Sequence, residues 1–219
     1  KPLIVSSGMS TLAEVDQSME FLKKRNVPTV LLHCVSKYPC PPEELHLSTM
    51  NFLAKRYAVP IGFSDHSIGN DSALAAVALG ARVIEKHFSF DRGLWGSDHK
   101  VSMTPDELRE LVDGIRVLEL NPEKAAEYLE KDIVKKGMGE ASKDLPEDEA
   151  VFRPYFRKAL MAGCDIPRGT VIDAEMLYAM RPQAYAGGLP SEHYEMVLGT
   201  KTTKDLKKYD PITVDAFEK

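Results

Sequence analysis

The sequence predicts an α/β chain in which parallel strands alternate with helical crossovers, followed by a smaller, mostly β module. Three observations predict it. Apolar, β-branched runs recur at "PLIVSS", "PTVLLHCV", "VPIGFS" and "ARVIEKHF", separated by helix-length segments. A charge-dense stretch, "LNPEKAAEYLEKDIVKKGMGEASKDLPEDEA", then breaks the pattern. Beyond it, "YFRKALMAGCDIPRGTVIDAEMLYAMRP" and "LGTKTTKDLKKYDPITVDAFEK" carry short strands punctuated by turn signals. The expected organisation is an α/β domain over residues 1–120, a linker over 121–152 with some helix at its start, and a compact β module over 153–219.

Each element has a local reason. The first helix opens at "STLAEV", where Thr11 and Glu14 have capping-box spacing, and Val15, Met19 and Leu22 recur at helical intervals. The second covers Leu47 to Tyr57, with Met50, Leu53 and Tyr57 on one stripe. "NDSALAAVALGA" gives a third helix of small residues, suited to close packing on a sheet. The fourth begins at "MTPDELREL": Thr104 is the N-cap, Pro105 takes the first helical position and Glu107 closes the box. In the charged stretch, Gly137, Gly139 and Pro146 prevent one long helix.

Composition narrows the function classes. A length of 219 residues is comfortable for two domains, and 43% hydrophobic residues supply a core. The net charge of −5 argues against nucleic acid as a partner. No run approaches the ~20 apolar residues that span a bilayer, and "KPLIVSSGMS" lacks a signal-peptide layout. The three cysteines, Cys34, Cys40 and Cys164, have no metal-type spacing, which suits reduced thiols and a cytoplasmic location.

Chemistry in a parallel α/β layout gathers at the carboxyl ends of the strands. Two histidines stand there. His66 follows Ser64 and Asp65 at the end of the third strand, and His87 follows Glu85 at the end of the fourth. The loop "DRGLWGSDHK" offers Asp98 above the same face, and Ser36 and Tyr38 lie just past the second strand. Two imidazoles and a carboxylate suit a divalent cation with positions left for water or substrate. Hydrogen-bonded structural histidines fit the same pattern, and the residues alone leave both readings open. Lys37, Lys86 and Lys100 are candidates to hold an anionic substrate, with solvated surface charge as the alternative.

The blocks "KPLIVSSGMSTLAEV", "LLHCVSKYPCPPEELHL", "PIGFSDHSIGNDSALAAVALGARVIEKHF" and "GSDHKVSMTPDELRELV" resemble the sialic acid synthase family. The tail, with "FRKALMAGCDIPRGTVI" and "MRPQAYAGGLPSEHYEMVLG", is similar to the SAF, or antifreeze-like, domain that follows the barrel in that family. The resemblance implies the second half of a (β/α)8 TIM barrel followed by a SAF domain. It implies an enzyme that condenses phosphoenolpyruvate with an N-acetylmannosamine-type sugar to give a nonulosonic acid and phosphate. It further implies His66 and His87 as ligands of a divalent metal, Mn²⁺ foremost, with Mg²⁺ or Co²⁺ as alternatives. By the same resemblance, Asp98 and Tyr38 meet the amino sugar, while Ser6 and Ser64 surround the phosphoenolpyruvate. Ser36 occupies a more variable substrate position, and Arg181 reaches the sugar site of the partner in a domain-swapped homodimer. On chemical grounds, and not from the resemblance, the nearby Glu85 is a candidate to position water or a ligand.

The resemblance also sets departures. The family's barrel has eight βα units and only the last four resemble this sequence, so its upstream catalytic glutamate and phosphate-gripping lysines match no position here. The expectation is a fragment of a longer protein, inactive alone, unless another chain supplies the first half or the half-barrel pairs with itself. "QAYAGG" is longer than the family's glycine-rich turn, and Trp95 stands where many relatives have Pro–Gly. The competing expectations are a non-catalytic sugar- or partner-binding protein, and a hydrolase or lyase using the same histidine pair.

Overall fold

The computed structural model describes residues 1–218; Lys219, the last residue of the expected second domain, lies outside them. The chain divides after Pro146 into two compact units.

The first unit is built on a four-stranded parallel sheet in the order β1 (Leu3–Ser6), β2 (Thr29–Cys34), β3 (Ile61–Asp65), β4 (Ile84–Lys86). Helices α1 (Leu12–Lys24), α2 (Ser48–Tyr57) and α3 (Asp71–Ala78) make the three crossovers, and α4 (Pro105–Leu120) follows β4. This is a parallel half-barrel, as the resemblance implies. The predicted caps form: in α1, Glu14 accepts the Thr11 amide at 2.8 Å, and in α4, Glu107 accepts the Thr104 amide at 2.8 Å. Each satisfies an amide that the helix itself leaves unpaired.

Strand registers fix which side chains share a face. Leu3, Thr29 and, one pleat on, Val5, Leu31, Ile61, Phe63 and Ile84 fall on the helix side. There Leu31, Ile61 and Phe63 meet Val15 and Met19 of α1 and Met50 and Leu53 of α2 in the main core. The small residues of α3 serve the predicted close approach: Ala73, Ala75 and Ala76 are fully buried, and a Cβ on Gly114 of α4 would lie 2.9 Å from Leu74.

Part of the expected linker is core-forming structure. Residues Pro122–Leu129 form α5 and Asp132–Met138 form α6, and Val134 is buried in the main core with Tyr128, Leu129 and Met138 against it. Gly137 accepts the Leu47 amide at 2.9 Å, and Tyr128 donates a short hydrogen bond to Asp71. The weak periodicity of this stretch reflects how few apolar side chains these two short helices need to anchor them.

The second unit pairs β5 (Ala159–Ala162) antiparallel with β6 (Leu177–Met180). Isolated bridges such as Ile166 with Leu206 and Val171 with Lys201 tie in the remaining extended segments. Leu160, Ile166, Ile172, Val197, Leu206 and Ile212 fill its core. Among the described residues, no helix is long and apolar enough to cross a membrane.

Candidate active site

The alternation that sends Phe63 to the helices sends its neighbours to the opposite, inner face of the sheet. Register partners point the same way, so Cys34, Ser64 and Glu85 form one row across β2, β3 and β4. One pleat further on, past the last ladder pair, Asp65 with Lys86, come His66 and His87. Two chain segments 21 positions apart therefore deliver imidazoles side by side, with ring centroids 5.4 Å apart. Tyr38 contacts both, its ring tilted over His66 with centroids 4.1 Å apart and edge-on to His87 at 5.5 Å.

His66 is buried, and its Nδ1 lies 2.8 Å from the Val35 carbonyl. A carbonyl only accepts, so Nδ1 carries a proton, and in the neutral ring Nε2 keeps its lone pair. Cys34 Sγ lies 3.8 Å from the same nitrogen. Burial pushes the Cys34 thiol up, but the His66 imidazole, with the Ser6 and Ser36 hydroxyls, outweighs it and holds the thiol below its usual range. Burial pushes His66 down, and Cys34 and the Val35 carbonyl together carry it above the usual imidazole value.

His87 is half-buried, with Nδ1 3.9 Å from the Asp98 carboxylate. Asp98 opens a short 3-10 turn, Asp98–Val101, and most of its side chain is exposed. The loop that carries it is anchored at both ends. Arg92 binds both Glu107 oxygens, at 2.8 and 2.7 Å, and the Ser102 carbonyl at 2.9 Å. The Met103 amide donates to the His87 carbonyl at 2.9 Å. Trp95 at the loop's tip is 98% exposed.

Of the other residues named from the sequence, Ser6, Ser36, Ser64 and Glu85 belong to the first unit and Arg181 to the second. Ser64 is buried and donates to Glu85 at 2.6 Å. Ser36 places its hydroxyl 3.8 Å from Cys34 Sγ, and Ser6 ends β1 on the inner face. Arg181 stands on the second unit, just past β6, and is exposed.

One expectation, that Lys86 holds an anionic substrate or is a solvated surface charge, needs correction. Asp65 is adjacent to His66 in sequence, but the pleat turns it to the helix side, where its carboxylate meets Lys86 at 2.7 Å with both side chains essentially sealed from water. Lys86 is therefore neither an anion-binding group nor a surface charge. Lys37 is likewise engaged, by the Glu44 carboxylate at 2.8 and 2.5 Å. Sequence reading also passed over Cys34 and the Val35 carbonyl. Cys34 shares the pleat parity of Ser64, which is the signal that would have found it.

The donor set fits a divalent cation in part. At metal–nitrogen distances of about 2.1 Å, one ion can reach a nitrogen of each ring across a 5.4 Å separation. Among the described residues, no three His, Cys, Asp or Glu side chains are grouped as a metal site. An ion held here would find two donors in His66 and His87, with its remaining positions open to water or substrate.

Comparison with known proteins places the chain in a family. The NeuB family model matches residues 1–126, and the SAF domain model matches residues 157–218. The chain belongs to the NeuB family. Relatives of this NeuB chain include the N,N'-diacetyllegionaminic acid synthase of Campylobacter jejuni, 36% identical over 95% of the chain and 58% of the relative. The human N-acetylneuraminate-9-phosphate synthase is 31% identical over 97% of the chain and 54% of the relative. The crystal structure of the Bacillus subtilis spore coat polysaccharide biosynthesis protein SpsE aligns over the whole chain and 62% of its own, at TM-score 0.77 and 30% identity. The NeuB chain described here thus spans little more than half the length of its curated relatives.

Proposed function

We propose that this chain is the carboxyl-terminal part of a nonulosonic acid synthase, a transferase that condenses phosphoenolpyruvate with an N-acetylmannosamine-type sugar and releases phosphate. The observation that carries the reading is the convergence of His66, His87, Tyr38 and Asp98 at the carboxyl ends of β2 to β4 in a NeuB-family half-barrel. The relatives' names give several different product acids, so the proposal is made at the level of the class.

In this reading His66 and His87 hold the divalent cation, Mn²⁺ foremost. When bound, the cation supplies Lewis-acid polarisation of the sugar's open-chain aldehyde. The protein's own groups do the rest. Tyr38 covers the two imidazoles and, with Asp98, receives the amino sugar. Ser6, Ser36 and Ser64 line the inner face on which phosphoenolpyruvate lies, and the Ser64–Glu85 hydrogen bond fixes the direction of that hydroxyl. C3 of phosphoenolpyruvate attacks the aldehyde carbon, water adds at C2, and phosphate departs by C–O cleavage. Fixed dipoles and charges held in place around the reacting carbon stabilise the charge that develops at C2. Arg181 contributes from the SAF domain of a partner subunit.

The full-length protein is expected to release phosphate from phosphoenolpyruvate only when Mn²⁺ and an N-acetylmannosamine-type sugar are both present. His66→Ala or His87→Ala should lower that rate by at least about 100-fold. Turnover within a few-fold of the parent in both variants would refute the metal assignment. Sugar binding without any phosphate release in the full-length parent would favour a binding protein instead.

A further inference from the structure

We propose that the buried Asp65–Lys86 pair is a positioning device for the two histidines, acting from the opposite face of the sheet. The inference rests on the reading of His66 and His87 as a functional pair and adds the residues that set their spacing.

The pair is a ring of bonds, not a single contact. Lys86 Nζ donates to Asp65 Oδ2 at 2.7 Å and to the Ser67 carbonyl at 2.6 Å. Asp65 Oδ1 accepts the Ser67 amide at 2.8 Å. Asp65 and Lys86 are the final register partners of β3 and β4, and their side chains are 0% and 2% exposed. His66 lies between Asp65 and Ser67, the two residues that Lys86 grips, and His87 is the next residue after Lys86. The ring therefore clamps the backbone on both sides of His66 to the residue that carries His87.

Energetics favour a geometric role over a stabilising one. Removing two charges from water offsets most of their attraction, so an apolar pair of similar volume serves stability as well or better. An apolar pair is non-directional, however, and tolerates the small slips and rotations that a charge-assisted, three-bond ring forbids. Among the described residues β4 is a three-residue strand whose ladder partner is β3, and just past it the Met103 amide holds the His87 carbonyl at 2.9 Å, so the Asp65–Lys86 ring is what ties that end across to β3.

The test compares the parent with Asp65→Leu/Lys86→Met, which replaces the pair without leaving a lone buried charge. Urea unfolding reports stability. Cross-peaks between the His66 and His87 ring protons in histidine-labelled protein report spacing, and calorimetry with Mn²⁺ alone reports affinity. The expected result is unfolding close to the parent, loss of the ring–ring cross-peaks, and Mn²⁺ binding weaker by about 10- to 100-fold. A folded double variant with intact cross-peaks overturns the proposal, whatever its affinity. If the parent binds no Mn²⁺, or binds it equally after His66→Ala, the metal reading fails, and the cross-peaks alone still decide the positioning role. If the double variant does not fold, Asp65→Asn/Lys86→Gln takes its place with the same readouts. Failure of both to fold assigns the pair to stability and overturns the proposal.

Discussion

His33 illustrates how burial alone sets a side chain's chemistry. It lies on the helix side of β2, stacked on Phe63, with Nε2 2.7 Å from the Leu45 carbonyl and Nδ1 buried without a hydrogen-bond partner among the described residues. Nε2 therefore carries the proton, and burial, opposed by that one hydrogen bond, lowers the pKa to about 4. A value below the unfolded 6.5 means that the unfolded chain binds the proton more readily. The contribution is thus complete above pH 6.5 and is lost as pH falls towards 4. The loss is on the order of 3 kcal/mol at about 1.4 kcal/mol per unit. His33→Gln keeps a donor for Leu45 without the titration, and urea titrations at pH 7 and pH 4.5 should show a smaller pH-dependent loss than in the parent. An unchanged loss would place the titration elsewhere. His33 and His66 look alike in sequence, as single histidines at strand positions. Only the pleat separates them, one into the core and the other onto the inner face.

At the scale of elements, caps and close approaches carry the specificity. Thr11→Ala removes the hydroxyl that receives the Glu14 amide and should cost about 1 kcal/mol in urea unfolding, with Mn²⁺ binding unaltered. Gly62 in β3 is more demanding. A Cβ there would sit 2.4 Å from both Leu32 Cδ2 and the Val83 carbonyl oxygen, so Gly62→Ala must displace backbone. The expected cost is about 1–3 kcal/mol, with weakened Mn²⁺ binding because β4 is the displaced strand. A variant as stable as the parent would show that β4 yields freely. The four helices of the βα repeats were legible from spacing and capping residues, because those signals are local. Helix at the start of the charged stretch was also legible, but α6 and the packing of both α5 and α6 into the core were not, because their anchoring residues, Val134 and Tyr128, make sense only against a sheet formed by residues far away in the chain.

At the scale of the chain described here, the β1 side of the half-barrel sheet is an exposed apolar edge. β1 pairs on one side with β2, and Leu3 and Ile4 are 44% and 59% exposed. An exposed apolar edge strand is a template for pairing with another chain. Light scattering on the isolated chain should therefore show mass rising with concentration, and Ile4→Lys should bring it back towards the monomer. Concentration-independent monomer in the parent would show that the edge is satisfied in another way.

The sequence by itself determined the α/β alternation, the capped helices, the family and the two strand-end histidines, because each is encoded within a few residues or in a family motif. Only the tertiary structure decided that Asp65 faces away from His66 to pair with Lys86, that Cys34 lies beside His66, and that the charged stretch folds onto the core. Those outcomes depend on the register between strands and on the side of the sheet each pleat presents. Both are set by contacts between segments tens of residues apart, so no local window of sequence contains them.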